Sequence, residues 1–301
     1  MKSQCVIAIA CILLAQAQNA RSQSPSFESE PIDSTLSGSA LEPSSASGLL
    51  AEPKSAQSGY DSGNDPTVVR KRLTFKSDYI EFANGLVANT STIQASFPIL
   101  QEEKLKLNFG FDLPMNYYDV ETPIAEVFSG FGDTKAQLMG IRPWSERLTL
   151  LAGVNLWMPT ADQQLLELPS LGTFTSVDLG TGKYRLEPLI GGVFFASERL
   201  FLIPLYAHDM SFAGKPDSPA INRGTARFFV NYSLQKGRYV SSETQFLINY
   251  NNDNDVDAFQ RFELGKSFQN GTVFYAKPGV GIAPGDFNRE WGMELGMRFV
   301  F

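Results

Sequence analysis

An all-β fold, closed into a transmembrane antiparallel β-barrel of about twelve strands, follows from three features of the chain. From Thr67 to Phe301, apolar residues recur at every second position in runs bounded by Gly, Pro, Asn and Asp, and no stretch has helical spacing. The runs are about ten residues long, roughly twice a usual soluble strand and the length a tilted strand needs to cross a bilayer. Their connections alternate between tight turns and longer loops, the asymmetry of outer-membrane barrels. Closure follows, because lipid offers an open sheet edge no hydrogen-bond partner.

The N-terminal elements set the compartment. Lys2 precedes an apolar run from Cys5 to Ala15, then the small residues Ala15, Ala17 and Ala20, the order of a secretory signal peptide over residues 1–20. That run is too short to span a membrane as a helix. Cys5 and Cys11 are the chain's two cysteines, so a processed chain has no thiol for a disulfide or a metal. Residues 21–67, as in "SGSALEPSSASGLLAEPKSAQSG", are rich in Ser, Pro, Ala and Glu and read as a disordered leader. The barrel then occupies residues 68–301.

Strands are expected near 73–83, 86–97, 104–114, 131–143, 148–159, 183–196, 200–210, 223–235, 239–251, 257–269, 272–282 and 288–301. Their even number places both ends of the barrel at the tight-turn rim, which would face the periplasm of a bacterial cell. The first strand and the one containing Pro204 carry the weakest signals, which leaves about ten strands as the alternative. Asn270-Gly271 is a two-residue hairpin signal of type I′, in which both residues have positive φ.

The final strand, "EWGMELGMRFVF", fixes the sides. Trp291, Met293, Leu295, Met297, Phe299 and Phe301 form a stripe for lipid, while Glu294 and Arg298 face the lumen. Its terminal aromatics, Phe299 and Phe301, read as the assembly signal for the outer-membrane barrel assembly machinery. The same parity turns Lys106, Asp112, Asp133, Lys135, Arg185, Glu187, Arg227, Glu243, Arg261 and Glu263 inward. The signs of these charges balance, so they are expected to pair across the lumen and leave a restricted path rather than a strongly ion-selective one. Asp119, Glu121, Glu126, Asp162, Asp253, Asp255 and Asp257 fall in the expected outer loops, where carboxylates could hold divalent cations that bridge lipopolysaccharide.

Enzymatic motifs are thin. A serine hydrolase needs a base, most often His, and His208 is the one histidine, followed by Asp209 and Ser211. Adjacent strand residues point to opposite faces, so His208 and Asp209 would not pair locally. One histidine cannot build a His-rich zinc site, no cofactor is implied, and a net charge of −7 argues against nucleic acid.

Two segments, "GFGDTKAQLMGIRPWSERLTLLAGVNLWMPTA" from Gly130 and "LGTGKYRLEPLIGGVFFAS" from Leu179, resemble the outer-membrane barrels of the meta-pathway phenol-degradation family of transporters. Gly132-Asp133, Pro159-Thr160 and Leu179-Gly180-Thr181-Gly182 match that pattern, while Met158 and Ala161 stand where Leu and Gly are expected. The resemblance covers the barrel portion and implies passage of small, often hydrophobic, molecules across the outer membrane. The expectation is therefore an outer-membrane channel or transporter for small hydrophobic or aromatic molecules, embedded in lipid and lipopolysaccharide. The alternatives are a lipid-modifying hydrolase using His208, and a structural or adhesive barrel.

Overall fold

The computed structural model describes residues 64–120, 126–168, 173–283, 285 and 288–301. The expected signal peptide and nearly all of the expected leader lie outside them, as do Glu121 and the loop tip around it. Fifteen strands are formed: β1 (Arg72–Phe82), β2 (Leu86–Gln101), β3 (Lys106–Val120), β4 (Glu126–Phe131), β5 (Thr134–Ser145), β6 (Leu148–Met158), β7 (Gln163–Leu168), β8 (Thr173–Asp178), β9 (Lys183–Phe195), β10 (Leu200–Gly214), β11 (Asn222–Ser233), β12 (Arg238–Asn249), β13 (Asp255–Ser267), β14 (Thr272–Ala283) and β15 (Arg289–Val300).

Twelve of them close a ring in the order β1, β2, β3, β5, β6, β9, β10, β11, β12, β13, β14, β15, with β15 returning to β1. Every pairing is antiparallel. The closing seam runs in one register from Arg72 opposite Val300 to Ile80 opposite Gly292, and a bulge follows at Glu81/Phe82. The backbone N–H of Phe301 donates to Lys71 O at 2.9 Å, so the chain is hydrogen-bonded to its last residue. The short strand β4 continues the line of β5 on the same neighbour: β3 pairs with β5 through Asp112 and with β4 from Met115. The break between them falls at Gly132-Asp133. Strands β7 and β8 form a separate hairpin in the β6–β9 connection.

The two rims differ. At the lower rim, where β1 begins and β15 ends, the connections after β2, β5, β9, β11 and β13 are tight turns. The upper rim carries the longer connections, including the β7–β8 hairpin, together with a short turn at Ala83–Gly85. Proline shapes this wall without breaking it. Pro204 is paired with Phe228 of β11, while its pairing with β9 lapses at 203–204 and resumes in unchanged register at Leu205 opposite Gly191. A missing N–H costs ladder bonds on one side only. Pro98 and Pro143 sit at bulges near the lower rim.

The Asn270-Gly271 turn differs from the expected type I′. Only Gly271 has positive φ, 79°, and its N–H bonds Phe268 O at 3.1 Å, while Phe268 N bonds Thr272 O. This is a three-residue loop, a type I turn over Gln269-Asn270 with glycine in the left-handed position. The I′ geometry occurs instead at Lys236-Gly237, with φ of 59° and 73°.

Alternate residues separate two surfaces. Phe111, Leu138, Ile190, Phe228, Leu264 and Leu295 stand exposed on the convex face, while Asp112, Asn155, Glu243, Glu263 and Glu294 are buried on the concave one. Tyr79 packs against Trp291 at 5.0 Å and Phe75 against Phe299 at 6.3 Å along the outer face of the seam.

Candidate functional site

Side chains on the concave face of a closed sheet converge, so contacts between strands two or three places apart mark the inside of the ring. Arg261 on β13 reaches past β14 and β15 to Asp78 on β1 at 3.0 Å, and lies 3.5 Å from Glu294. Lys76 completes this group at 3.4 Å from Glu294. Lys277 on β14 bridges Glu243 at 2.5 Å and Glu263 at 3.9 Å, and Arg227 meets Glu243 from the other side at 3.8 Å. Arg298 binds Glu263 at 3.0 Å and Tyr239 Oη at 3.1 Å. Nearer the upper rim, Arg289 forks onto Asp257 and also donates to Gln245 Oε1 at 3.1 Å.

The facing wall holds its own pairs. Lys135 meets Asp112 at 2.6 Å, and Asp112 also accepts from Gln94 Nε2 at 2.8 Å. Arg185 binds Asp209 at 2.5 Å and stacks 4.4 Å from the Trp157 ring. Glu187 accepts from Asn155 Nδ2 and Trp157 Nε1 at 2.8 and 3.0 Å. Lys106 differs, donating to the backbone oxygen of Thr67 at 3.3 Å. A small polar cavity of about 90 Å³ lies between Arg72, Gln94, Ser96, Asn108 and Gln137. A far larger depression, about 1250 Å³, is lined mainly by outward residues such as Phe75, Ser77, Ile93, Leu264 and Leu295, and belongs to the outer surface.

Sequence parity missed several members of these groups: Lys76, Asp78, Asp209, Lys277 and Arg289. Asp257, expected in a solvated loop, is a buried residue of β13 held by Arg289. Asp119, Glu126 and Asp255 likewise lie within strands rather than loops.

The lower half of the wall formed by β5, β6, β9, β10 and β11 is apolar inside. Ile141, Leu151, Val193, Phe201 and Ile203 form a buried cluster, with Met139, Phe195 and Phe229 against it. Val69, which precedes β1, packs on the same cluster. Residues 64–71 lie across this mouth. Asn64 Nδ2 donates to Glu263 Oε1 at 3.2 Å, and Asn64 Oδ1 accepts from Arg298. Asp65 Oδ1 caps a turn by accepting from Thr67 N at 2.9 Å and Thr67 Oγ1 at 2.6 Å. Val69 O accepts from Gln101 Nε2 at 3.1 Å. Asn64–Thr67, placed in the leader by composition, are thus in contact with the barrel, and Asp65 and Thr67 are buried.

At the upper end, the motif residues converge on the strand break. Asp133 Oδ2 accepts from both Thr181 N and Thr181 Oγ1 at 2.7 Å. Thr160 Oγ1 accepts from Thr134 N at 2.9 Å and donates to Gly132 O at 3.3 Å. Gly180 is obligatory, since a Cβ there would stand 2.2 Å from Asp133 Oδ1. Asn116 Nδ2 donates to Leu179 O at 2.6 Å. Asp162 pairs with Phe131 through backbone and side chain and with Leu179 through backbone, so the base of the β7–β8 hairpin is tied to β4.

His208 is on the outer face. Its Nδ1 lies 3.2 Å from Tyr206 Oη, and its ring stacks on Tyr250 at 5.4 Å. Asp209 points inward to Arg185, so the two belong to opposite faces. Among the described residues, no group of three or more His, Cys, Asp or Glu is arranged to hold a metal ion.

No family model matches the chain, and no curated protein matches it. Solved structures do. An outer membrane channel from Pseudomonas putida F1 aligns with a TM-score of 0.63 at 15% identity, covering 78% of this chain and 96% of that one. The NanC porin aligns at 0.52 and 12% identity over 75% of this chain and 98% of its own. The translocator domain of the autotransporter NalP from Neisseria meningitidis aligns at 0.53 and 11%, over 79% and 91%. At such identities the likeness is one of fold.

Proposed function

We propose that this protein is a bacterial outer-membrane channel for small molecules, hydrophobic or aromatic ones among them, with both ends of its barrel at the periplasmic rim. The observation that carries the reading is the inner wall built from Ile141, Leu151, Val193, Phe201 and Ile203. A barrel interior is ordinarily polar, and apolar side chains turned toward a lumen give an apolar solute a surface it can use. The opposite wall supports this by neutralising its charge. Lys106, Asp112, Asp133, Lys135, Arg185, Glu187, Arg227, Glu243, Arg261, Glu263, Glu294 and Arg298 are proposed to line the path, mostly as pairs or tethers that do not select an ion by sign. The exposed apolar convex face suits a bilayer with lipopolysaccharide outside, and the Gly132-Asp133, Pro159-Thr160 and Leu179–Gly182 motifs favour kinship with the meta-pathway phenol-degradation transporters.

The test is uptake. A strain lacking the protein should lose growth or accumulation on particular aromatic or aliphatic solutes, with its lipid composition unchanged. A deletion that alters lipid acylation and leaves uptake intact would favour a hydrolase. A pure barrel that neither conducts in planar bilayers nor supports uptake would sink the channel reading.

A further inference from the structure

Residues 64–71 sit where a solute leaving through the lower mouth would pass. Their attachment has two unlike halves. Asn64 is clasped by Glu263 and Arg298 on the charged wall, and Val69 packs on the apolar cluster of β5, β6, β9 and β10 on the other. Thr67 and Val69 are fixed between them only by backbone oxygens, to Lys106 and Gln101. None of these residues belongs to a strand, so the segment can leave without opening a ladder.

We propose that the 64–71 segment is an intramolecular plug, and that its seat under Val69 is a binding site for a small apolar solute. Segment and solute compete for that one seat, so arrival of the solute displaces the plug. The proposal rests on the channel reading and adds to it a resident occupant. Its energetics are suited to exchange. Burying one valine is worth about 1.5–3 kcal/mol, enough to keep the mouth closed most of the time and small enough for another apolar group to replace.

Two variants of the processed full chain, free of Cys5 and Cys11, test this, with barrel closure checked by heat-modifiable migration. Val69→Cys reports on the seat through labelling by a water-soluble maleimide. Labelling should be slower than for an exposed cysteine by on the order of tenfold to a hundredfold, and should accelerate when N-phenyl-1-naphthylamine is added as the apolar probe. Val69→Asp puts a carboxylate against the apolar cluster and should expel the segment, raising planar-bilayer conductance several-fold over the unmodified chain. Fast labelling without the probe, labelling indifferent to the probe, or equal conductance of the Val69→Asp and unmodified barrels would each overturn the plug. Displacement by the probe with no solute crossing in either form would uphold the plug and remove the channel reading instead.

Discussion

Gly265→Ala tests whether the inward tyrosines are set into the wall by glycines. A Cβ at position 265 would stand 2.1 Å from Tyr239 Cζ and 2.3 Å from both Cε1 and Oη, far inside the ~3.5–4.0 Å of a carbon contact. Gly265 is the cross-strand partner of Tyr239, so the ring lies over the bare backbone. The Tyr239 hydroxyl donates to Glu263 at 2.6 Å and accepts from Arg298 at 3.1 Å. A methyl group makes the ring swing and takes that hydroxyl off charged partners worth about 1.5–3 kcal/mol each. Replacing a strand glycine by alanine returns roughly 0.5–1 kcal/mol of backbone entropy, so the net expectation is about 1–3 kcal/mol of destabilisation. Gly192→Ala is the control: its Cβ would meet Leu148 Cδ1 and Thr149 O at 3.4 Å, a contact the wall can accept, leaving the backbone term to give neutrality or slight gain. Urea midpoints of the barrel in detergent micelles measure both. The destabilisation should also shrink in a Tyr239→Ala background, where nothing overlies position 265. If both glycine variants move in the same direction, or Gly265→Ala costs as much without the tyrosine as with it, the reasoning fails.

Asp133→Ala removes both bonds to Thr181 and should cost ~1–3 kcal/mol locally, seen as faster proteolysis of the β6–β9 connection in an otherwise closed barrel; unchanged cleavage would mean that the tie does not hold the loop. Glu243→Gln strips Lys277 and Arg227 of a shared carboxylate and should shift the reversal potential in a salt gradient toward anions, whereas an unshifted potential would place this group away from the ion path. His208→Ala should leave uptake and membrane lipids unaltered, with stability changed by less than about 1 kcal/mol; loss of a lipid-modifying activity would instead revive the hydrolase. Deleting Phe301, or extending it with a charged tail, should lower the amount of heat-modifiable barrel in the outer membrane, and normal levels would refute its part in assembly.

The ring was legible because its signal is local. A strand of ten or more residues with one apolar face can be read one residue at a time, and its turns are marked by Gly, Asn and Ser. Even the strand with Pro204 takes its place, since a single lost N–H leaves the β10–β11 ladder whole. Subtler turn chemistry was not legible: Asn-Gly serves a two-residue I′ loop and also the end of a type I loop, and the choice depends on how far the ladder closes. Here Phe268 and Thr272 are joined, leaving three residues between them.

The inside was harder, for a reason visible in particular runs. The polar-in, apolar-out rule finds Glu243 or Arg261 and is blind to "FLIPLYA" in β10 or "LIGGVFF" in β9, where both faces are apolar and no period exists. Such unbroken runs are the mark of a strand buried on both sides. Read that way, they point to an apolar inner wall before any coordinates, because one side of a barrel strand already belongs to lipid. The plug left no such trace. Asn64 and Val69 lie in a polar, proline-containing stretch whose composition predicts disorder, and their order comes from partners far along the chain, at Glu263, Arg298 and Val193. Composition reports what a segment can bury by itself. It cannot report a seat that twelve other strands provide.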